Sequence, residues 1–140
     1  NIDGTLNREA VRNEIIRHPE KRNILNACTH PEINKEVLRL AQDYTSRGDA
    51  QPIIIDVPLL FEVGWNRLFK RVVLVYVPVA IQIDRLMKRD GLTREIAEMT
   101  LSAQMGIEEK RALAQMIVDN SGSVDDTYRQ VDVVYEQLAG

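Results

Sequence analysis

Residues 52–62 read Pro-Ile-Ile-Ile-Asp-Val-Pro-Leu-Leu-Phe-Glu. Ile53, Ile54 and Ile55 form an uninterrupted β-branched run, too short for a helix, which predicts a strand buried on both faces. Asp56 closes the run. Leu59, Leu60 and Phe61 then place large apolar side chains in a connection, where polar residues are the rule.

The same pattern recurs downstream. Val72-Val73-Leu74-Val75-Tyr76-Val77 is a second such run, closed by Pro78, and Met116-Ile117-Val118 is a shorter third. Helical spacing fills the gaps. Val79, Ile83 and Leu86 mark one side of a helix over 79–90, with Arg85, Lys88 and Arg89 on the other. Thr93 suits the cap of a helix over 94–104, and Ser123 that of a last helix, with Asp125 and Asp126 in its first turn. Val124, Tyr128, Val131, Tyr135 and Leu138 trace the expected inner face of that helix. Buried strands separated by helices predict an α/β fold with a parallel sheet.

The first 50 residues carry no strand pattern. Asp3-Gly4 reads as a turn. Val11, Ile15 and Ile16 predict a helix over 7–17, and Pro19 suits the first turn of the next, whose inner face would hold Ile24, Leu25 and Cys28. Pro31 disfavours helix at His30, so His30-Pro31 is expected to break that helix and begin another. Ile33, Val37, Leu40, Ala41 and Tyr44 continue to a stop near Gly48. Residues 1–50 therefore read as a helical domain beside an α/β core over 51–140.

Of the 140 residues, 44% are hydrophobic and 28% charged, the balance of an ordinary globular chain rather than a disordered one. A net charge of −3 argues against a general nucleic-acid binder, which carries a broad basic footprint. No apolar run is long enough to span a bilayer and no signal peptide is evident, which makes no membrane partner and a cytoplasmic location the default expectation. The single cysteine, Cys28, has no internal partner and reads as a small buried hydrophobe in a reducing compartment. His18 and His30 form no metal-ligand array, so no metal is assigned to protein ligands. The chain opens on Asn1-Ile2-Asp3-Gly4 without methionine, which reads as a point inside a longer sequence.

Ligands of open parallel sheets bind beyond the carboxyl ends of the strands. Asp56 there is either a strand terminator or an acid that orders magnesium-bound water. Leu59, Leu60 and Phe61 are either core or pocket wall, with Glu62 as a polar handle. Arg85 and Arg89, four apart, share a helical face that is either solvated or grips a polyphosphate. Lys110 and Arg111 add cations further on, and a mobile helical segment carrying them would suit a lid. Asp119-Asn120-Ser121-Gly122 is either a plain turn before the last helix or a site for an adenine edge.

Taken together, Asp3-Gly4-Thr5-Leu6-Asn7-Arg8, His30-Pro31, Asp56-Val57-Pro58-Leu59-Leu60-Phe61-Glu62, Arg85-Leu86-Met87-Lys88-Arg89-Asp90-Gly91-Leu92, Gln104-Met105 and Val118-Asp119-Asn120-Ser121-Gly122 resemble the dephospho-coenzyme A kinase series. The first long stretch and the Asp-Asn-Ser-Gly stretch, in this order, are the specific ones. The resemblance implies a P-loop, nucleoside-kinase-like parallel sheet with flanking helices, a helical coenzyme A domain over 1–50 and a helical lid over about 80–112. It implies transfer of the γ-phosphate of ATP to the 3′-hydroxyl of dephospho-coenzyme A, with Mg2+, the last step of coenzyme A biosynthesis. His30, Pro31, Asp56, Pro58, Leu59, Leu60, Phe61 and Glu62 would border the acceptor. Arg85 and Arg89 would act on the phosphates as catalytic groups. Together with Arg111, Asn120 and Gly122 they would hold ATP.

One departure is large. The family begins with a strand, a glycine-rich phosphate loop ending in Gly-Lys-Ser or Gly-Lys-Thr, and a second strand bearing the acid that activates the hydroxyl. These 140 residues contain no Gly-Lys pair, so little kinase activity is expected of the chain alone. In the family the missing strand lies between those expected at 53–56 and 72–77, whose edges would stand unpaired and prone to self-association. Disorder upstream, a complementing chain or direct pairing of the two strands would each answer this. Two rivals stand beside this reading: another small-molecule or nucleotide kinase, and a non-catalytic nucleotide-binding or assembly domain.

Overall fold

The computed structural model describes residues 5–48 and 51–139; the expected Asp3-Gly4 turn lies outside them. The chain divides into two compact units, Asn1–Ile53 and Ile54–Gly140.

The first unit is a pair of packed helices, α1 (Arg8–Arg17) and α2 (Pro19–Ser46). Asn7 caps α1, its side-chain oxygen accepting from Ala10 N at 2.9 Å. His18 joins the helices and Pro19 opens α2, where its missing N–H costs nothing. Gly48, at φ 74°, follows the end of α2 in the left-handed region.

The helix does not break at His30-Pro31: α2 runs through Pro31 as 28 continuous residues. Proline removes one backbone hydrogen bond, but the less exposed positions Asn26, His30, Asn34, Val37 and Ala41 keep helical spacing across it. The half-buried positions therefore keep one helical phase on both sides of the proline. The same stripe corrects the expected inner face, because Ile24, Leu25 and Cys28 lie off it and are exposed.

The second unit is α/β. Strand β1 (Val73–Tyr76) leads through α3 (Val79–Asp90), α4 (Arg94–Ser102) and α5 (Ile107–Leu113) to β2 (Met116–Asp119), and α6 (Val124–Ala139) follows. The strands pair in parallel, Val73 opposite Met116 and Tyr76 opposite Asp119. The Gln115 side chain accepts from Val72 N at 2.8 Å, while Gln115 N and Met116 N both donate to Val72 O at 3.1 Å. At the other end the Gln130 amide accepts from Asp119 N and donates to Asp119 O, at 2.8 and 2.9 Å, as a neighbouring peptide would.

Ile53-Ile54-Ile55 is not a strand, and Ile54 is 72% exposed. A strand exists by pairing its backbone. Among the described residues the sheet holds β1 and β2 alone, so direct pairing of 53–55 with 73–76 does not occur. Nor is β1 buried on both faces: Leu74 and Tyr76 are buried, whereas Val75 is 57% exposed. The core gathers Phe61, Val72, Leu74 and Tyr76, with Leu60, Phe69, Met105, Ile107 and Ala114 against it.

Helix α3 starts behind Pro78 and stops at Gly91, whose φ of 66° suits glycine. Thr93 caps α4 as expected. Helix α6 packs on β2, but through the face of Thr127, Gln130, Val134 and Leu138. The stripe of Val124, Tyr128, Val131 and Tyr135, expected to point inward, is exposed. Periodicity identified the helix; Gln130, anchored on β2, sets its rotation.

Candidate functional site

The carboxyl ends of β1 and β2 bring one set of polar groups together. Asn120 follows β2 directly and donates its backbone N–H to Tyr76 O at 2.8 Å, continuing the ladder by one residue. Arg85 reaches it from α3, donating to the Asn120 side-chain oxygen at 2.9 Å and to its backbone carbonyl at 2.8 Å. Two of the sequence-predicted residues are thus in direct contact. Arg89, one turn on, pairs instead with the adjacent Asp90 at 2.8 Å. The two guanidiniums share a face in sequence but hold different partners.

Arg111 of α5 lies 4.9 Å from the ring centre of Tyr76 and 3.7 Å from Glu108 Oε2. The Tyr76 hydroxyl donates to Glu108 Oε1 at 2.6 Å. That hydrogen bond and burial raise the Tyr76 pKa, against the opposing charge of Arg111. Asp119 accepts from Ser121 N at 2.8 Å. Hydrogen bonds from Ser121, with Arg111 as a weaker contribution, hold the Asp119 carboxyl below its ordinary range. Gly122 is exposed, and a Cβ there would meet the Asp126 carboxylate at 3.4 Å, an ordinary contact.

The stretch from Asp56 to Glu62 forms a compact turn. Leu60 N donates to Val57 O, Val63 N to Leu59 O and Trp65 N to Leu60 O, at 3.3, 3.1 and 3.0 Å. Gly64, at φ 73°, closes it. Phe61 belongs to the core, so the choice between core and pocket falls to core for that residue. Leu60 is partly buried beside it, while Asp56, Pro58 and Leu59 are exposed.

Glu62 meets Lys110, whose Nζ lies 2.7 Å from Glu62 Oε1; the same oxygen accepts from Met105 N at 3.1 Å. Burial pushes the Glu62 carboxyl up, but its hydrogen bonds and the Lys110 charge outweigh it and leave the pKa lowered. A cleft of about 290 Å³ opens beside this pair, lined by Val79, Gln82 and Ile83 of α3, Leu101 of α4, Met105 and Lys110.

His30 and Pro31 sit in mid-α2, in the first unit, with His30 half-buried and Pro31 exposed. No group of three or more His, Cys, Asp or Glu side chains able to hold a metal occurs among the described residues.

The dephospho-CoA kinase family model matches residues 1–126. The chain belongs to the dephospho-CoA kinase family. Among curated relatives, a dephospho-CoA kinase domain-containing protein of Danio rerio is 43% identical over 97% of this chain and 59% of its own length. The dephospho-CoA kinase of Symbiobacterium thermophilum is 38% identical over 99% of this chain and 57% of its own. Among solved structures, a Thermus thermophilus protein superposes with a TM-score of 0.72 at 34% identity, covering 98% of this chain and 70% of that one. The dephospho-CoA kinase of Campylobacter jejuni gives 0.65 at 29%, covering 96% and 66%. The chain therefore spans under three fifths of the length of these two curated kinase relatives.

Sequence reasoning missed three contributors. Tyr76 and Glu108 hold Arg111, and Gln130 completes the end of β2. Tyr76 reads in sequence only as one more residue of a strand. The pairing of Glu62 with Lys110 joins residues 48 apart, which no local spacing reveals.

Proposed function

We propose that this chain supplies the acceptor-binding and lid-bearing part of an ATP-dependent kinase that phosphorylates the 3′-hydroxyl of dephospho-coenzyme A to give coenzyme A. Family membership supports the reaction class. The observation that carries the reading is the convergence of Arg85 and Asn120, with Asp119 and Arg111 close by, at the carboxyl ends of two parallel strands, the place where this class of sheet binds ligands.

In this reading the turn of Asp56, Pro58, Leu59, Leu60, Phe61 and Glu62 borders the acceptor. His30 and Pro31 are assigned to acceptor binding by the family resemblance of the helical domain 1–50. Phe61 acts from the core by supporting Leu60. Arg85, Arg89 and Arg111 meet the phosphates, and Asn120 and Gly122 lie by the adenine. Residues 80–112 form the lid, whose C-terminal helix α5 stays held to the core through Ile107 and Lys110. Arg85 has five N–H donors, so a phosphate oxygen is answered either beside Asn120 or by exchanging that partner.

ATP brings Mg2+, which keeps several waters and takes one or two carboxylates besides phosphate oxygens. Asp56, exposed and single, fits such a role, and no all-protein cage is needed. When bound, the ion would neutralise charge on the phosphates.

The 140 residues contain no Gly-Lys phosphate loop, so the chain alone is expected to retain acceptor binding but not transfer. A cytoplasmic location belongs to the same proposal, as does self-association through the outer edge of β1. Incubating the chain with ATP, Mg2+ and dephospho-coenzyme A and quantifying coenzyme A tests it. Product no higher than the blank is expected, and turnover at the level of an intact family member would refute it. The non-catalytic rival draws on the same missing loop. Supplying a phosphate-loop segment N-terminal to this chain and still finding no phosphorylation would favour it.

A further inference from the structure

Lys110 is the buried charged residue of the described chain, 9% exposed. An ammonium group at such a place is strongly destabilising unless it is answered. Glu62 answers it at 2.7 Å and with the same oxygen takes the N–H of Met105 at 3.1 Å. Three separate pieces of chain therefore meet at one carboxylate: the turn after Asp56, the α4–α5 connection, and α5 itself.

What such a contact adds is direction. Phe61 already anchors the turn by burial, but an apolar anchor is indifferent to rotation about itself. The turn is internally stiff, through the hydrogen bonds from Val57 to Trp65. One strong directional tie at Glu62 is enough to set the orientation of the whole turn, including the exposed Pro58 and Leu59. Replacing a buried ion pair by a well-packed apolar pair is often neutral or stabilising, so what such a pair adds is often direction rather than stability. A directional tie on the buried Lys110 suits a role in registry.

We propose that Lys110 is a positioning residue for the acceptor. Acting through Glu62, it fixes the Asp56–Glu62 turn against α5 and so presents Pro58 and Leu59 to dephospho-coenzyme A in one orientation. The inference rests on the reading that this turn borders the acceptor.

The test is calorimetric titration of dephospho-coenzyme A into the 140-residue chain and into Lys110→Met, Lys110→Arg and the double variant Glu62→Met with Lys110→Met, each with its melting temperature. Lys110→Met leaves Glu62 in place, and at least tenfold weaker binding is expected. Lys110→Arg, which can still reach the carboxylate, should bind within threefold of wild type. The double variant removes the orphaned charge and should melt near or above wild type, yet still bind at least tenfold more weakly. Wild-type affinity in a well-folded double variant overturns the positioning role, because a merely structural pair predicts it. So does unchanged affinity in Lys110→Met. A wild-type chain that binds no dephospho-coenzyme A removes the acceptor reading itself, and the proposal with it.

Discussion

Arg85 grips Asn120 twice, at its side-chain oxygen and at its backbone carbonyl. The contact ties the middle of α3 to the residue that ends the parallel ladder. Two hydrogen bonds already hold the guanidinium beside the strand ends, so little of its freedom remains to be lost on binding.

Lysine cannot reproduce that fork. Arg85→Lys and Asn120→Ala should each lower stability by about 1 kcal/mol, the scale of a net hydrogen bond at a partly exposed site. A double-mutant cycle read by denaturant unfolding should find the two effects strongly non-additive. Additive effects would mean that the contact is not formed in solution.

Glu62 gives a pH signature. Its carboxyl titrates below its ordinary value, so the group stabilises the fold fully above the unfolded-state pKa and loses that contribution as pH falls through the folded one. Unfolding free energy should therefore drop as pH falls below about 5. Glu62→Gln should lose part of this slope while starting from a lower value at neutral pH, by about 2–3 kcal/mol, because Lys110 is then left buried without its counter-charge. Equal slopes in the two proteins would assign the acid limb to other carboxylates.

Pro31 interrupts a helix that continues through it. Pro31→Ala restores a donor to the Ala27 carbonyl and removes a steric conflict. It should stabilise the helical unit by about 1–3 kcal/mol, with a gain in far-ultraviolet helical signal. Loss of dephospho-coenzyme A affinity alongside that gain would show that the proline is kept for the ligand. A loss of helix would show that α2 is not continuous.

Strand β1 has one neighbour, β2, among the described residues, and Val75 is exposed. Val75→Lys should reduce concentration-dependent association in sedimentation, since charge on an edge strand opposes pairing. An unchanged distribution would locate any association elsewhere, with the exposed Tyr128 face of α6 the next to test.

Helices α1, α3, α4 and α6 and the two paired strands were legible because their signals are local: Thr93 before α4, β-branched runs at 72–77 and 116–118. The short helix α5 was not read from the sequence. What was not legible depends on partners distant in sequence. Ile53-Ile54-Ile55 has a strand's composition, but composition supplies no neighbour to bond. Tyr128 and Val131 have a core stripe's spacing, but Gln130 on Asp119 turns the helix otherwise. His30-Pro31 carries a local stop signal, yet the half-buried positions keep one helical phase across it. At the candidate site, Arg85 and Asn120 could each be named from the motifs, while their mutual contact, and the burial of Lys110 against Glu62, appear only in the fold.

Titration of dephospho-coenzyme A into the 140-residue chain, in parallel with a nucleoside monophosphate, is the most direct measurement. Saturable binding of dephospho-coenzyme A, at least tenfold tighter than the monophosphate and weakened by loss of Lys110, is the predicted result. Preference for the monophosphate, or no binding of either, would contradict the account.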